Sequence, residues 1–122
     1  MINIDQLNHT AIHVADLAKS VAFYRDVLQL EQMGRPDFNF PGAWFQTGPD
    51  QELHLIFRDV QDHTVPLERH TAYRIPNIAA TKAHFDSLGI EYEDPRNRPD
   101  GPWQLFIKDP DGHVIELTQL DV

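Results

Sequence analysis

With 122 residues, 41% of them hydrophobic and 24% charged, the chain has the length and composition of one folded domain and fits neither a disordered nor a low-complexity reading. The absence of cysteine excludes a disulfide framework, a zinc ribbon and a thiolate nucleophile, leaves His and carboxylates to hold any metal, and makes a cytoplasmic setting the expectation. Ten Lys and Arg against nineteen Asp and Glu give a net charge of −9, so nucleic acid and anionic membrane surfaces are not expected partners.

Residues 1–10 carry neither the basic flank nor the apolar stretch of a secretion signal, and no run approaches the ~20 apolar residues of a membrane span. Alternation over 7–14 predicts a first strand, and Asp16 is a suitable N-cap for a helix with Leu17, Val21, Tyr24 and Leu28 on one stripe. A short strand is expected within 31–34, followed by a loop at Pro36, Pro41 and Gly42. Strands over 44–47 and 52–58 flank the turn Gly48-Pro49-Asp50. Residues 59–69 lack apolar periodicity and read as a linker. A strand over 70–75 then leads to a helix capped by Asn77 and ended by Gly89, with a short strand at 90–93. The last two strands, 103–108 and 113–118, form a hairpin across Asp109-Pro110-Asp111-Gly112.

This order is one plan used twice. His9-Thr10-Ala11-Ile12-His13-Val14 recurs as His70-Thr71-Ala72-Tyr73-Arg74-Ile75, Asp16-Leu17-Ala18 aligns with Asn77-Ile78-Ala79, and Gly42-Ala43-Trp44 resembles Gly101-Pro102-Trp103. The expected fold is α+β: two tandem βαβββ modules forming a curled mixed-sheet cup. The expected domain is single, 1–122, with modules 1–58 and 70–122. Copies of this size need a shared core.

Strand alternation then sorts the polar residues by face. Ile12 and Val14 belong to the core, which turns His9 and His13 to the other side; Leu53, Leu55 and Phe57 do the same for Glu52, His54 and Arg58. The same parity groups His70 with Arg74, and Glu116 with Val114 and Thr118. The repeat maps His9 onto His70 and His54 onto Glu116. Three imidazoles and a carboxylate on one kind of face, in two repeat-related pairs, suit a divalent metal ion, with His54 as fourth ligand or close neighbour. A lone strand histidine is ordinarily a hydrogen-bonded surface residue, and that reading is kept for His13, His63, His84 and His113, none of which has a ligand-type repeat partner. Parity also assigns Phe45, Gln104 and Phe106 to the cup wall, and Arg58, Arg74 and Lys108 to a rim that suits an anionic substrate.

The opening Asn8-His9-Thr10-Ala11-Ile12, the stretch Phe23-Tyr24-Arg25-Asp26-Val27-Leu28, and above all Phe106-Ile107-Lys108-Asp109-Pro110-Asp111-Gly112-His113-Val114-Ile115-Glu116-Leu117 resemble the vicinal oxygen chelate superfamily. The resemblance spans essentially the whole chain. It implies a divalent metal (Ni, Zn, Mn, Fe or Co) held by His9, His70 and Glu116, and a homodimer. Position 54 matches a site where glyoxalase I carries Glu. The implied activity is that of a glyoxalase-like lyase or isomerase on a small substrate with vicinal oxygens, through a metal-stabilised enediolate-type intermediate with Glu116 as base. The alternatives are a resistance-type protein that binds a small molecule or metal without turnover, and a small ring-cleaving dioxygenase.

Overall fold

The computed structural model describes residues 2–59 and 68–120. The first unit runs β1 (His9–Val14), α1 (Leu17–Ala22), β2 (Glu31–Met33), β3 (Gly42–Gly48) and β4 (Gln51–Phe57), and the second runs β5 (His70–Arg74), α2 (Ile78–Leu88), β6 (Glu93–Asn97), β7 (Trp103–Lys108) and β8 (Val114–Gln119). Each is a βαβββ module, as the repeat predicts. Most of the expected linker, residues 60–67, lies outside the described residues, as does His63. Among the described residues no helix is long and apolar enough to cross a membrane.

The two sheets share one topology. Their strand orders are β1-β4-β3-β2 and β5-β8-β7-β6. In each, the first strand pairs parallel with the last and the remaining neighbours are antiparallel. A parallel neighbour needs a crossover, which the capped helix supplies. Asp16 accepts from the Lys19 amide at 3.1 Å and Asn77 from the Ala80 amide at 2.9 Å, so both helices start where their caps predict. Gly89, at φ 68°, ends α2 in the left-handed conformation that costs a glycine least. The first helix continues past α1 as a π-helical stretch, Phe23–Val27, whose wider turn buries Phe23, Tyr24 and Val27 together.

Two expectations are corrected. The strand expected at 90–93 lies instead at Glu93–Asn97, because the Ile90 amide bonds the Phe85 carbonyl and is spent on the helix cap. Phe45, expected on the cup wall, pairs with Leu53, meets the Tyr24 ring at 6.1 Å and is 0% exposed in the core. The residue on the open face is its neighbour Trp44, which pairs with His54. The alignment of Gly42-Ala43-Trp44 with Gly101-Pro102-Trp103 set the copies three residues out of register: Trp44 corresponds to Phe106, since each lies across from its module's candidate on the last strand. A slip by an odd number of residues inverts every side chain of a strand.

Phe45→Ala should therefore lower the unfolding free energy by ~3–5 kcal/mol, read from the urea midpoint. A loss within about 0.5 kcal/mol, as for a surface site, would refute its place in the core.

Candidate metal centre

In the second unit, register brings a histidine to a buried carboxylate. Glu116 lies on β8 between Ile115 and Leu117, only 5% exposed, and pairs with Ala72 across β5. Because Ala72 is small, His70, two residues earlier on the same face, reaches past it, and Nε2 stands 3.2 Å from Glu116 Oε1. Its Nδ1 is 2.9 Å from the Glu68 carbonyl oxygen. A carbonyl only accepts, so Nδ1 carries hydrogen, and in a neutral ring Nε2 turns its lone pair toward the carboxylate. Two lone pairs facing each other call for a proton or a cation between them. This donor set fits a divalent ion, with Nδ1 anchored outside it as metal-bound imidazoles ordinarily are.

In the first unit His9 is prepared in the same way. Asn8 Nδ2 donates to the Asp50 carbonyl at 3.3 Å, which leaves Oδ1 to accept from His9 Nδ1 at 2.7 Å. In a neutral ring Nε2 of His9 is therefore the nitrogen with the free lone pair, as in its repeat equivalent His70. His54 is half-buried and differently held: its Nε2 donates to Glu52 Oε1 at 2.8 Å. Its ring is stacked between Trp44, at 4.0 Å and 3°, and His9, at 4.3 Å and 16°. The expected fourth donor is thus a close neighbour lying flat against His9. Among the described residues no group of three or more His, Cys, Asp or Glu gathers as an ion site.

The other expected site residues divide. Gln104 and Arg74 share the open face of the second unit, in a row running Arg96–Gln104–Thr118–Arg74 across the sheet. Phe106 lies across from Glu116, with the His70 ring edge-on at 5.9 Å. Arg58 is exposed, one residue past the end of β4, with its amide donating to the Val14 carbonyl.

A cavity of about 930 Å³ opens in this unit, lined by His70, Phe106, Arg96, Lys108, Glu91 and Glu93 among others. At its wall stands Tyr92, whose hydroxyl donates to the Asp86 carboxylate, a bond that holds the phenol up at about 12. Sequence reasoning missed Arg96 because of a bulge. Glu93 pairs with Phe106 but Arg96 with Gln104, so three residues of β6 span two of β7 and Arg96 turns to the same face as Glu93. Its guanidinium sits 5.7 Å from the Phe106 ring centroid. Trp44 was missed through the register slip, and its place beside His54 follows from the pairing of β3 with β4.

A family model described as the Glyoxalase/Bleomycin resistance protein/Dioxygenase superfamily matches residues 6–117. The chain belongs to this superfamily. It is 26% identical to Glyoxylase I 4 of Arabidopsis thaliana, over 98% of this chain and 74% of that protein. It is 27% identical to the lactoylglutathione lyase of Salmonella typhimurium, over 93% of this chain and 92% of that protein. A crystal structure of a protein assigned to the glyoxalase family from Bacillus anthracis matches at a TM-score of 0.84 and 25% identity, over 98% of each chain. In this superfamily member the paired residues occupy the first and last strands of each module.

The hydrogen-bond geometry gives a direct check. In metal-free protein at neutral pH, long-range proton–nitrogen spectra should show His9 with Nδ1 protonated and Nε2 bare. Asn8→Leu should release that preference, and an unchanged His9 tautomer in the variant would refute the anchoring.

Proposed function

We propose that this chain is a divalent-metal-dependent lyase or isomerase of the glyoxalase type, acting on a small anionic substrate with two neighbouring oxygens. The observation that carries the reading is Nε2 of His70 standing 3.2 Å from the buried Glu116 carboxylate, with Nδ1 bonded to the Glu68 carbonyl. Repeat equivalence adds His9, held in the same tautomer by Asn8. His9, His70 and Glu116 would hold the ion, and imidazole plus carboxylate suits Ni, Zn, Mn, Fe or Co. The ion's part is to stabilise negative charge as it develops on the two substrate oxygens.

The chain's own residues supply the rest. Glu116 accepts the proton from the substrate carbon and returns it to the neighbouring one, a task suited to a carboxylate held out of water among apolar residues. Phe106 offers the substrate an aromatic wall. Arg96 and Arg74, in the row beside Glu116, attract an anionic group, and Gln104 between them orients it. The cavity in the second unit has room for such a molecule.

A homodimer belongs to the same reading. β1 and β5 are edge strands of their own sheets, and Ile2, Ile4 and Leu7 ahead of β1 are strongly exposed. Light scattering at micromolar concentration should give twice the mass of one chain; a monomer would overturn this part.

The ligand and base roles separate by substitution. His70→Ala should lose the metal on dialysis against a chelator, by elemental analysis. Glu116→Gln keeps the size and one carbonyl donor, so it should retain metal when saturated yet turn over a hemithioacetal substrate ~10²–10⁴-fold more slowly. Full metal occupancy in the first variant would refute the ligand set, and near wild-type turnover in the second would move the base elsewhere.

A further inference from the structure

The loop between β2 and β3 in the first unit carries a cation whose surroundings are aromatic. The guanidinium carbon of Arg35 lies 4.8 Å from the Phe38 ring centroid and 5.0 Å from that of Phe40. The two rings stack on each other at 5.4 Å and 21°, and Phe38 meets Trp44 at 6.0 Å and 47°. Gly42 admits the guanidinium to the sheet, since a Cβ there would stand 3.0 Å from both Nε and Nη2 of Arg35. Phe38 and Phe40 nevertheless remain 43% and 37% exposed, so the cluster is built but not covered.

Attraction to the rings uses none of the five N–H donors of a guanidinium. One donor is spent, Nη2 on the Phe40 carbonyl at 2.8 Å, which fixes the head beside both rings. Among the described residues no carboxylate pairs with Arg35. Arg96, set over Phe106 in the second unit, by contrast stands 3.8 Å from Glu93 and has its counter-charge. A half-buried cation without one, in a chain of net charge −9, leaves room for an anion from outside.

We propose that Arg35, Phe38, Phe40 and Trp44 form a binding site for a planar aromatic carboxylate. Nη1 and the second hydrogen of Nη2 present the two parallel donors that a carboxylate accepts. The ring attached to that carboxylate then lies against the exposed rings of Phe38 and Phe40. An aliphatic acid would forgo the stacking, and a neutral arene would leave the guanidinium without a counter-ion. Charge and shape together select a compound that carries both groups. The site lies within the first unit and asks nothing of a metal ion, so it stands or falls apart from the reading above.

The experiment titrates the full-length protein with 2-naphthoate and follows the tryptophan indole and arginine Nε–H signals in proton–nitrogen spectra. Trp44 and Arg35 should shift with a Kd on the order of 1 mM or tighter, while the indole of Trp103, in the second unit, stays in place. Naphthalene-2-carboxamide, the neutral isostere, should bind at least ~10-fold more weakly. Decahydro-2-naphthoate, with the same charge on a saturated skeleton, should bind ~3–10-fold more weakly. Arg35→Gln should cost at least ~10-fold and Phe38→Leu ~3–10-fold, each with the backbone amide spectrum of the folded protein retained. Should Arg35→Gln unsettle the loop, Arg35→Lys, which keeps the charge but not the fork, should still fall at least ~3-fold. No shift of Trp44 at ~10 mM 2-naphthoate, a shift of Trp103 in its place, or equal binding of the amide would each overturn the proposal. So would an Arg35 variant that binds as the wild type does. If the saturated acid bound as tightly as 2-naphthoate, or Phe38→Leu made no difference, the aromatic half of the site would be refuted.

Discussion

Each module sets its first strand parallel to its last, and the register of that pairing determines which side chains can meet. It places His9 beside Glu52, Ala11 beside His54, His70 beside Val114 and Ala72 beside Glu116. The two alanines do as much as the histidines. Neighbouring side chains on one strand face are two residues apart, so an imidazole can lean toward the next cross-strand partner only if the residue between is small. Ala11 lets His9 stack on His54, and Ala72 lets His70 approach Glu116. A bulky residue at either position would leave the sheet intact and close that approach.

The parallel pairing also explains why the sequence is legible where it is. β1, β4, β5 and β8 each alternate apolar and polar side chains against a core, so a face can be assigned without knowing what lies opposite, and the caps Asp16 and Asn77 announce the helices between. Legibility fails in β3 and β6. In β3, Trp44 and Phe45 are adjacent and both aromatic, and only pairing with Leu53 and His54 tells which one faces the core. In β6, Pro95 stands inside a bulged strand with almost no apolar residues, so alternation carries no signal and the bulge turns Arg96 to an unforeseen face. What chain-order periodicity cannot carry is the information that resides in the partner strand.

Burial gives a second measure of which polar residues are structural. Asp109 is only 6% exposed, but its Oδ1 accepts from the Asp111 amide at 2.9 Å and the His113 amide at 2.8 Å, holding the last hairpin, so its burial is compensated within the turn. Glu116 is equally buried, yet its described partner is an imidazole whose other nitrogen is anchored as a donor. A carboxylate in that position costs stability unless a positive charge accompanies it. The strand would be better served locally by an apolar residue between Ile115 and Leu117, and the carboxylate is accompanied there by the His70 imidazole at 3.2 Å.

Position 54 shows the same economy in charge. Where the resemblance to glyoxalase I calls for a carboxylate at this place in β4, the chain has an imidazole, and a carboxylate stands two residues earlier on the same face, hydrogen-bonded to it at 2.8 Å. The negative charge is kept and moved one step back from Nε2 of His9. At the proposed centre Glu116 alone among the ligands would offset the two charges of the ion, and Glu52, linked to His54, supplies a further compensating field without occupying a coordination position. A carboxylate that acts through a neighbouring ring can be exchanged for an amide with less effect on binding than a ligand can, because charge acting at a distance is screened while a coordinate bond is not. The substitution of His for Glu at this position is therefore a change in how the charge is delivered rather than in whether it is present.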